Sequence, residues 1–304
     1  MGIHHYEHEC EYSDIKANKY LDIFNKYDLP TEKAVSEKVK ILLDKHYSEN
    51  FNSEVLKKIH GLIDLTSLNS LDTKESIWEM VETKVNSYEG THPDVENVAA
   101  ICTYPLFVET VKQALTAQGV KIASVAGGFP SSQTFPEVKI AETALAVMSG
   151  ADEIDIVMNL GYFWEEDYET LADEINEIKE SCRNARLKVI IETGALNDVE
   201  NIGKATILTC YSGADFVKTS TGKEYPGTTP EAVYAICRML KKYNEMEGIR
   251  TGIKVSGGIR IAEDAVKYYT IVKETLGKDW LNKDLFRIGA SHLVEEIRKR
   301  IKGN

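Results

Sequence analysis

The sequence predicts an α/β protein that folds as a TIM (β/α)8 barrel preceded by a helical extension. Eight short apolar runs, rich in Val and Ile, follow one another from residue 60 onward, and amphipathic stretches separate them. Such runs are typical of strands buried on both faces of a parallel sheet, and eight strand–helix units close a barrel. An open doubly wound sheet is the main alternative, although no G-x-G-x-x-G follows the first run.

The predicted strands are four to six residues long. They are Leu62–Leu65, Val98–Thr103, Lys121–Val125, Glu153–Met158, Leu187–Glu192, Ala214–Lys218, Thr251–Val255 and Leu285–Ile288.

Four of the intervening stretches carry an apolar stripe at helical spacing, which is typical of helices that pack on a sheet. The stripes are Phe107-Val108, Val111 and Leu115; Ala141, Ala144-Leu145 and Met148; Leu171, Ile175, Ile178 and Cys182; and Val233, Ile236-Cys237 and Leu240.

Residues 1–57 are predicted to be a helical extension, and residues 58–304 the barrel domain. The extension is more charged and lacks a strand pattern, and Pro30-Thr31 is a plausible helix start. We expect the extension to pack on the barrel and to close its N-terminal end. Its two apolar stripes are Leu21, Phe24 and Tyr27, and Val35, Val39, Leu42-Leu43 and Tyr47.

Composition excludes several classes of protein. The net charge of −12 disfavours a nucleic-acid partner. Five widely spaced cysteines without a C-x-x-C pair indicate reduced thiols in a cytoplasmic protein. We expect no signal peptide and no membrane span, because the N-terminus has no apolar segment and the chain has no run of about 18 apolar residues. His4, His5, His8 and Cys10 do not follow a recognised zinc pattern, so no metal is expected.

Two lysine motifs indicate the chemistry. The segments 215–223 (DFVKTSTGK) and 252–260 (GIKVSGGIR) each place a lysine, Lys218 or Lys254, at the end of an apolar run that glycines follow. Burial and a second nearby cation both lower the pKa of a lysine, and a neutral lysine is a nucleophile. The pair therefore predicts Schiff-base chemistry on a carbonyl compound, and either lysine could be the nucleophile on these grounds.

Other reactive side chains lie at or near predicted strand ends, where barrel enzymes place their active sites. Asp155 is a candidate for proton transfer through water. A structural role in the barrel is the alternative for Asp155, and a phosphate-binding or salt-bridged lysine is the alternative for Lys254. Asp64, Thr66 and Asn69 are candidates to contact substrate, Cys102 lies near the mouth, and Lys188 is expected to join a charge network with Asp155.

The glycines after the late strands predict a phosphate site, because loops at this position bind phosphate through backbone N–H groups and helix N-termini. Lys223 and Arg260 are expected to add positive charge, with surface charge as the alternative for each; plain turns are the alternative for the glycines. The predicted phosphate contacts are Gly222, Lys223, Gly257, Gly258, Arg260, Gly289 and Ser291, and Thr219 is predicted to contact the substrate.

Seven motifs in order over about residues 59–296 resemble class I deoxyribose-phosphate aldolase. They include 64–69 (DLTSLN), 99–105 (AAICTYP), 150–155 (GADEID), 188–194 (KVIIETG) and 287–291 (RIGAS), together with the two lysine motifs. The resemblance implies a small phosphorylated sugar as partner, no cofactor, no metal and a homodimer. It implies reversible cleavage of 2-deoxy-D-ribose 5-phosphate to D-glyceraldehyde 3-phosphate and acetaldehyde.

The resemblance also assigns roles. It implies that Lys218 is the Schiff-base nucleophile, that Lys254 is the ammonium that lowers its pKa, and that Asp155 belongs to the proton relay. The chain departs from the family pattern at Ser256, at His292 and at a C-terminus without tyrosine, besides the extension. These departures leave two alternatives: a Schiff-base lyase for another sugar phosphate, or a barrel that binds a sugar phosphate without turnover.

Overall fold

The computed structural model of the chain describes residues 13–92 and 94–303. The group of His4, His5, His8 and Cys10 lies outside the described residues. Eight parallel strands form a closed barrel, in which each strand pairs with the next and the eighth pairs with the first. The predicted (β/α)8 barrel is therefore confirmed. None of the helices within the described residues is long and apolar enough to cross a bilayer.

The strands agree with the eight predicted runs, and their ends differ by at most two residues. They are β1 (Ile63–Thr66), β2 (Ala100–Thr103), β3 (Lys121–Val125), β4 (Glu153–Val157), β5 (Arg186–Ile190), β6 (Phe216–Lys218), β7 (Gly252–Ser256) and β8 (Phe286–Ala290).

Helices surround the barrel and precede it. They are α1 (Ser13–Phe24), α2 (Glu32–Asn50), α3 (Ser53–His60), α4 (Lys74–Lys84), α5 (Val108–Ala114), α6 (Pro136–Ser149), α7 (Leu160–Trp164), α8 (Tyr168–Ser181), α9 (Val199–Tyr211), α10 (Pro230–Glu247), α11 (Ala262–Leu276) and α12 (Leu293–Lys302).

The N-terminal extension packs against the outer ring of helices. The helix α1 contacts α8 and α9, α2 contacts mainly α10 and α11, and α3 contacts α11 and α12. The predicted start of α2 is confirmed, because Thr31 is its N-cap. In the shorter stripe, the prediction that Leu21 packs with Phe24 is wrong, because Leu21 is exposed and Tyr20 is buried with Phe24 instead. Helix α3 crosses the predicted boundary after residue 57 and ends at His60.

The apolar stripe predicted for α6 faces the wrong way. Leu145 and Met148 are exposed, whereas Lys139, Thr143 and Ala146 form the buried face. The buried Lys139 donates to Glu174 at 2.8 Å and to Ser132 at 2.9 Å. A buried lysine is tolerated when it is paired and hydrogen-bonded, so this ion pair replaces the apolar contact that the stripe predicted.

The other three predicted stripes are confirmed. Their residues are buried or partly buried and pack against the apolar core between the strands and the helices. Inside the barrel, a second and smaller apolar cluster occupies the β2–β3 side, where Ala100, Cys102, Ala123 and Val125 meet Leu68. The remaining strands point charged side chains inward.

Candidate active site

Charged side chains fill the barrel on the side of β1 and β4 to β8. They occupy alternate positions of strands whose side chains point inward on a period of two. All are almost completely buried: Asp64 on β1, Glu153 and Asp155 on β4, Lys188 on β5, Lys218 on β6, Lys254 on β7 and Arg287 on β8.

The lower part of this group is centred on Glu153. Arg287 Nη2 donates to Glu153 Oε1 at 2.7 Å, and Lys188 Nζ donates to Glu153 Oε2 at 2.5 Å. Phe216 lies beside both cations, with its ring centre 5.9 Å from Lys188 Nζ and 5.8 Å from Arg287 Cζ. The pairing supplies the compensation that buried charges need.

The upper part joins the two motif lysines. Lys218 and Lys254 are directly paired in register across β6 and β7. Lys218 Nζ donates to Asp155 Oδ2 at 2.7 Å, and Lys254 Nζ donates to the same oxygen at 2.8 Å. Lys254 Nζ is also 2.6 Å from Asp64 Oδ2, and Lys188 Nζ donates to Asp155 Oδ1 at 3.0 Å. Asp155 therefore contacts the side-chain nitrogens of three lysines.

The two motif lysines differ in their electrostatics. Burial lowers the pKa of Lys218, and the charge of Lys254 lowers it further, so that the opposing attraction of Asp155 is outweighed. Burial also acts on Lys254, but Asp155 and Asp64 together raise its pKa well above the usual value. The difference arises because Lys254 contacts two carboxylates and Lys218 contacts one.

The neighbouring cations hold Asp155 and Asp64 in the ionised form. Burial raises the pKa of Asp155, but Lys188, Lys218 and Lys254 outweigh it and hold that pKa well below its usual value. Asp64 behaves in the same way, with Lys254 and Arg287 as the main causes after burial. The seven side chains comprise four cationic types and three carboxylates. Loss of one proton from this group would balance the charges, and Lys218 is the lysine whose pKa is lowered.

A cavity of about 290 Å³ opens above the lysine pair. It reaches from Lys218 and Lys254 to the loops after β6, β7 and β8, so that the lysines and the glycine-rich loops share one space. The predicted residues that line it are Thr66, Asn69, Lys218, Gly222, Lys223, Lys254, Gly257, Gly258, Arg260, Gly289 and Ser291.

The absence of a side chain at Gly289 leaves space for the Lys254 side chain. A Cβ on Gly289 would lie 3.1 Å from Lys254 Cε and 3.0 Å from Ser256 Cβ. Since real Cβ atoms rarely approach so closely, a larger residue on this strand would displace the lysine or the neighbouring serine.

Other predicted site residues lie outside the cavity wall. Asp64, Asp155 and Lys188 belong to the charged group beneath it. The buried Thr219 uses its hydroxyl to tie β6 to β7, donating to Ser256 O at 3.0 Å and accepting from Ser256 N at 2.9 Å. Cys102 is buried in the apolar cluster, and burial raises the pKa of its thiol.

Three residues that the sequence prediction did not select complete the arrangement. Glu153 and Arg287 could have been found from one signal, because charged residues inside otherwise apolar strands must be paired. Glu192 was predicted to end a strand, which is wrong: β5 ends at Ile190, and Glu192 has a left-handed φ of 51°. Its carboxylate accepts from Thr221 Oγ1 at 2.5 Å and from Thr221 N at 3.2 Å, and burial raises its pKa.

Ser256 and His292, at which the chain departs from the family pattern, lie at or beside the cavity. Ser256 donates its hydroxyl to Ser220 O at 2.6 Å, so it links the same two strands as Thr219. His292 lines the cavity immediately before α12. Lys223 donates through Nζ to the carbonyl of Leu68, which draws the loop after β6 towards the loop after β1.

Comparisons with known proteins identify the family of the chain. A model of the DeoC/LacD family aldolases matches residues 59–278. The chain is 38% identical over 250 residues to "Putative deoxyribose-phosphate aldolase" of Caenorhabditis elegans, covering 82% of each chain. It is 37% identical over 261 residues to the deoxyribose-phosphate aldolase of Homo sapiens, covering 81% of this chain and 80% of that protein.

A solved structure shares the fold. The tetrameric deoxyribose phosphate aldolase of Aeropyrum pernix superposes with a TM-score of 0.65 at 26% identity, covering 89% of this chain and 98% of that chain. The family match includes strands β1 to β7, which carry six of the seven buried charged side chains, and it ends before β8, which carries Arg287. The chain belongs to the DeoC/LacD family of aldolases, and it is a carbon–carbon lyase.

Proposed function

We propose that this enzyme reversibly cleaves 2-deoxy-D-ribose 5-phosphate to D-glyceraldehyde 3-phosphate and acetaldehyde through a Schiff base on Lys218. The observation that supports this most is the asymmetry of the lysine pair: the pKa of Lys218 is lowered, whereas the pKa of Lys254 is raised. A neutral amine beside a fixed ammonium is the arrangement that imine formation requires.

The first half of the reaction uses the lysine pair. The free amine of Lys218 attacks the aldehyde carbon C1 of the open-chain sugar. The adduct takes up a proton through the water relay at Asp155, and loss of water then gives the protonated imine. Lys254, which contacts the same oxygen of Asp155, remains cationic and favours the free amine of Lys218. Burial and repulsion from Lys254 together lower the pKa of Lys218.

The second half uses the imine as an electron sink. The C3 hydroxyl loses its proton to a water held by Asp155, the C2–C3 bond breaks, and its electron pair becomes the enamine on Lys218. D-glyceraldehyde 3-phosphate is thereby released, and protonation at C2 followed by hydrolysis frees acetaldehyde. Asp155 suits a relay because its three lysine neighbours keep it ionised.

The phosphate is proposed to bind at the opposite end of the cavity. Gly222, Gly257 and Gly258 present backbone there, and Lys223, Arg260 and Ser291 line the same end. Loops after the last barrel strands bind phosphate through such backbone groups. Thr66 and Asn69, on the β1 side, are proposed to contact the sugar hydroxyls. The cytoplasmic location expected from the cysteine pattern stays a prediction.

Borohydride reduction in the presence of 2-deoxyribose 5-phosphate, followed by peptide mapping, tests the proposal. We expect a reduced adduct on Lys218 that is absent from Lys218→Met and present in Lys283→Met, whose substitution lies outside the cavity. An adduct on Lys254 would reverse the roles of the lysines. A folded protein that binds the sugar phosphate but forms no adduct would refute the Schiff base and favour a binding protein. Cleavage of other sugar phosphates at higher kcat/KM would move the assignment to another substrate.

A further inference from the structure

A groove lies between the N-terminal extension and the barrel, on the outer surface of the molecule. Helix α2 supplies one wall, with Lys38 and Lys45, and α10 supplies the other, with Lys241 and Lys242; the two helices contact each other. Its volume of about 600 Å³ is within the range of about 300–1,000 Å³ that small-molecule sites have. We refer to it as the α2–α10 groove. No described residue lines both this groove and the cavity above the lysine pair.

The lysines on both walls of the groove have no partner. Lys38 and Lys45 are seven positions apart on α2, so they lie on one face of that helix. Lys241 and Lys242 line the groove from α10. All four are exposed, and within the described part of the chain none of them forms an ion pair or a side-chain hydrogen bond. Four unpaired ammonium groups therefore border one space.

Carboxylates also line the groove, but two of them already have cationic partners. Asp28 lies 2.9 Å from Arg238, and Glu274 Oε1 lies 3.5 Å from Lys273 Nζ. Among the described lining residues, Glu245 is the remaining carboxylate, and it faces four lysines. The groove therefore carries a surplus of positive charge on a chain whose net charge is −12. A cleft lined by an excess of one charge concentrates ligands of the opposite charge.

Apolar side chains line the same groove. Ile41 follows Lys38 by three positions and precedes Lys45 by four, so it lies between them on α2, and it is 52% exposed. Tyr234 and Met239 line the groove from α10. Because covering apolar surface is favourable, these residues suit an organic group such as an aromatic ring. The groove therefore combines contacts for an anion with contacts for an apolar group.

We propose that the α2–α10 groove binds a nucleoside polyphosphate, whose phosphates contact the four lysines and whose base packs on the apolar residues. The site is distinct from the proposed aldolase chemistry. The net charge of −12 disfavours a nucleic acid as the occupant, because a long phosphate backbone would extend beyond the groove over a chain of negative net charge. A ligand that contacts both walls binds only when α2 is docked on α10, so it stabilises this arrangement by mass action. The extension thereby supplies one half of a ligand site.

Calorimetric titration of the full chain with ATP, without added metal, tests the proposal. We expect saturable binding by the wild type, and a rise in Tm of about 3 °C or more when ATP is present at about 100 times its Kd. The variants K38E/K45E and K241E/K242E each reverse the two lysine charges of one wall. Each should raise the Kd for ATP at least about tenfold, because two attractions become repulsions.

The matched control is K33E/K40E. Lys33 and Lys40 are exposed and also lie seven positions apart on α2, but on a different face that does not line the groove. The control makes the same change in net charge on the same helix, and it should leave the Kd for ATP unchanged. Circular dichroism of every variant should match the wild type, since the substituted lysines face solvent.

Further measurements separate the groove from the catalytic cavity, where a phosphate site is also proposed. ATP should leave KM for 2-deoxyribose 5-phosphate unchanged, and Lys223→Met should bind ATP as the wild type does. Both wall variants should keep the kcat/KM of the wild type. Since calorimetry detects ATP without turnover, failure of the aldolase proposal would leave this test intact. Adenosine and tripolyphosphate should each bind more weakly than ATP, because each makes only part of the contacts.

Four results would overturn the proposal. The first is no binding of ATP by the wild type at millimolar concentration. The second is a wild-type Kd for ATP in both wall variants while they are folded; because the two walls belong to different helices, misfolding of one variant leaves the other to decide. The third is competition between ATP and the sugar phosphate together with loss of ATP binding in Lys223→Met, which would place ATP in the catalytic cavity. The fourth is binding of tripolyphosphate as tightly as ATP, which would exclude a contribution of the apolar residues.

Discussion

Lys218 and Lys254 lie side by side in register on adjacent strands and donate to the same carboxylate oxygen, at 2.7 Å and 2.8 Å. The oxygen belongs to Asp155, and only Lys254 has a second carboxylate, Asp64, within 2.6 Å. The contact with Asp64 therefore distinguishes the two lysine amines electrostatically. It stabilises the ammonium form of Lys254 and leaves Lys218 as the lysine whose pKa is lowered.

The first prediction concerns the pH dependence of imine formation. The reactive form of Lys218 is the free amine, so the rate rises with pH through the pKa of Lys218, which lies below its usual value. In Lys254→Met the repulsion between the two lysines is lost, so the pKa of Lys218 rises. The rate at pH 7 should then fall about tenfold for each unit by which this pKa increases. Stopped-flow rates from pH 5 to pH 10 measure the shift. Lys223→Met is the control: it should weaken substrate binding and leave unchanged the pH at which the rate rises. If Lys254→Met also leaves that pH unchanged, the role of Lys254 is contradicted.

The second prediction concerns the buried charges under the lysine pair. Arg287→Met removes the partner of Glu153 and of Asp64 Oδ1, which lies 2.7 Å from Arg287 Nη1. Breaking a buried pair from one side costs about 3–5 kcal/mol, so the free energy of unfolding in urea should fall by that amount. Arg186→Met, whose partner Asp284 is exposed, should cost less than about 1 kcal/mol. Equal losses in the two variants would show that the internal pairs are no more important than surface ones.

The third prediction concerns Glu192 as a positioning residue. Its carboxylate accepts hydrogen bonds from the backbone N–H and the hydroxyl of Thr221, which stands at the start of the loop that carries Gly222 and Lys223. Glu192→Ala should raise KM for the phosphorylated sugar about tenfold or more and lower kcat less, because the phosphate loop loosens while the lysine pair stays. Glu192→Gln keeps an acceptor oxygen and should restore most of the affinity. A loss confined to kcat would indicate instead that Glu192 acts on Lys218.

The fourth prediction links stability to pH through His60, which is fully buried. Its Nδ1 lies 2.7 Å from Glu96 O, and its Nε2 accepts from Arg298 Nε at 2.9 Å. Burial and the charge of Arg298 lower the pKa of His60 to about 4. Because the folded pKa is below the unfolded value of about 6.5, the stability is complete above pH 6.5 and is lost as pH falls towards 4.

Between pH 7.5 and pH 5 the free energy of unfolding should therefore fall by about 2 kcal/mol on account of His60. Urea titrations at both pH values should show this fall in the wild type and in His46→Gln, since His46 lies away from this site. The fall should be absent from His60→Gln. The same decrease in His60→Gln would assign the pH dependence to other groups.

The strands could be predicted from the sequence because their pattern is local. Each run of Val and Ile indicates that its own segment is buried, and eight runs in succession favour a closed barrel over an open sheet. The candidate residues at strand ends, including Lys218, Lys254 and Asp155, follow from the same pattern, since parallel strands bring their carboxyl ends to one edge. These features can therefore be predicted from local sequence patterns alone.

Other features depend on packing between distant segments. The polarity of α6 could not be predicted, because the exposure of Leu145 and Met148 depends on Glu174, 35 residues from its partner Lys139. The difference between the two lysines likewise depends on Asp64, which barrel closure brings to Lys254 through the pairing of β1 with β8. By itself the sequence predicted the barrel and selected five of its seven buried charged side chains, without Glu153 and Arg287. Only the tertiary structure decided which charges meet, because the electrostatic energy of buried groups depends on distances that no local pattern records.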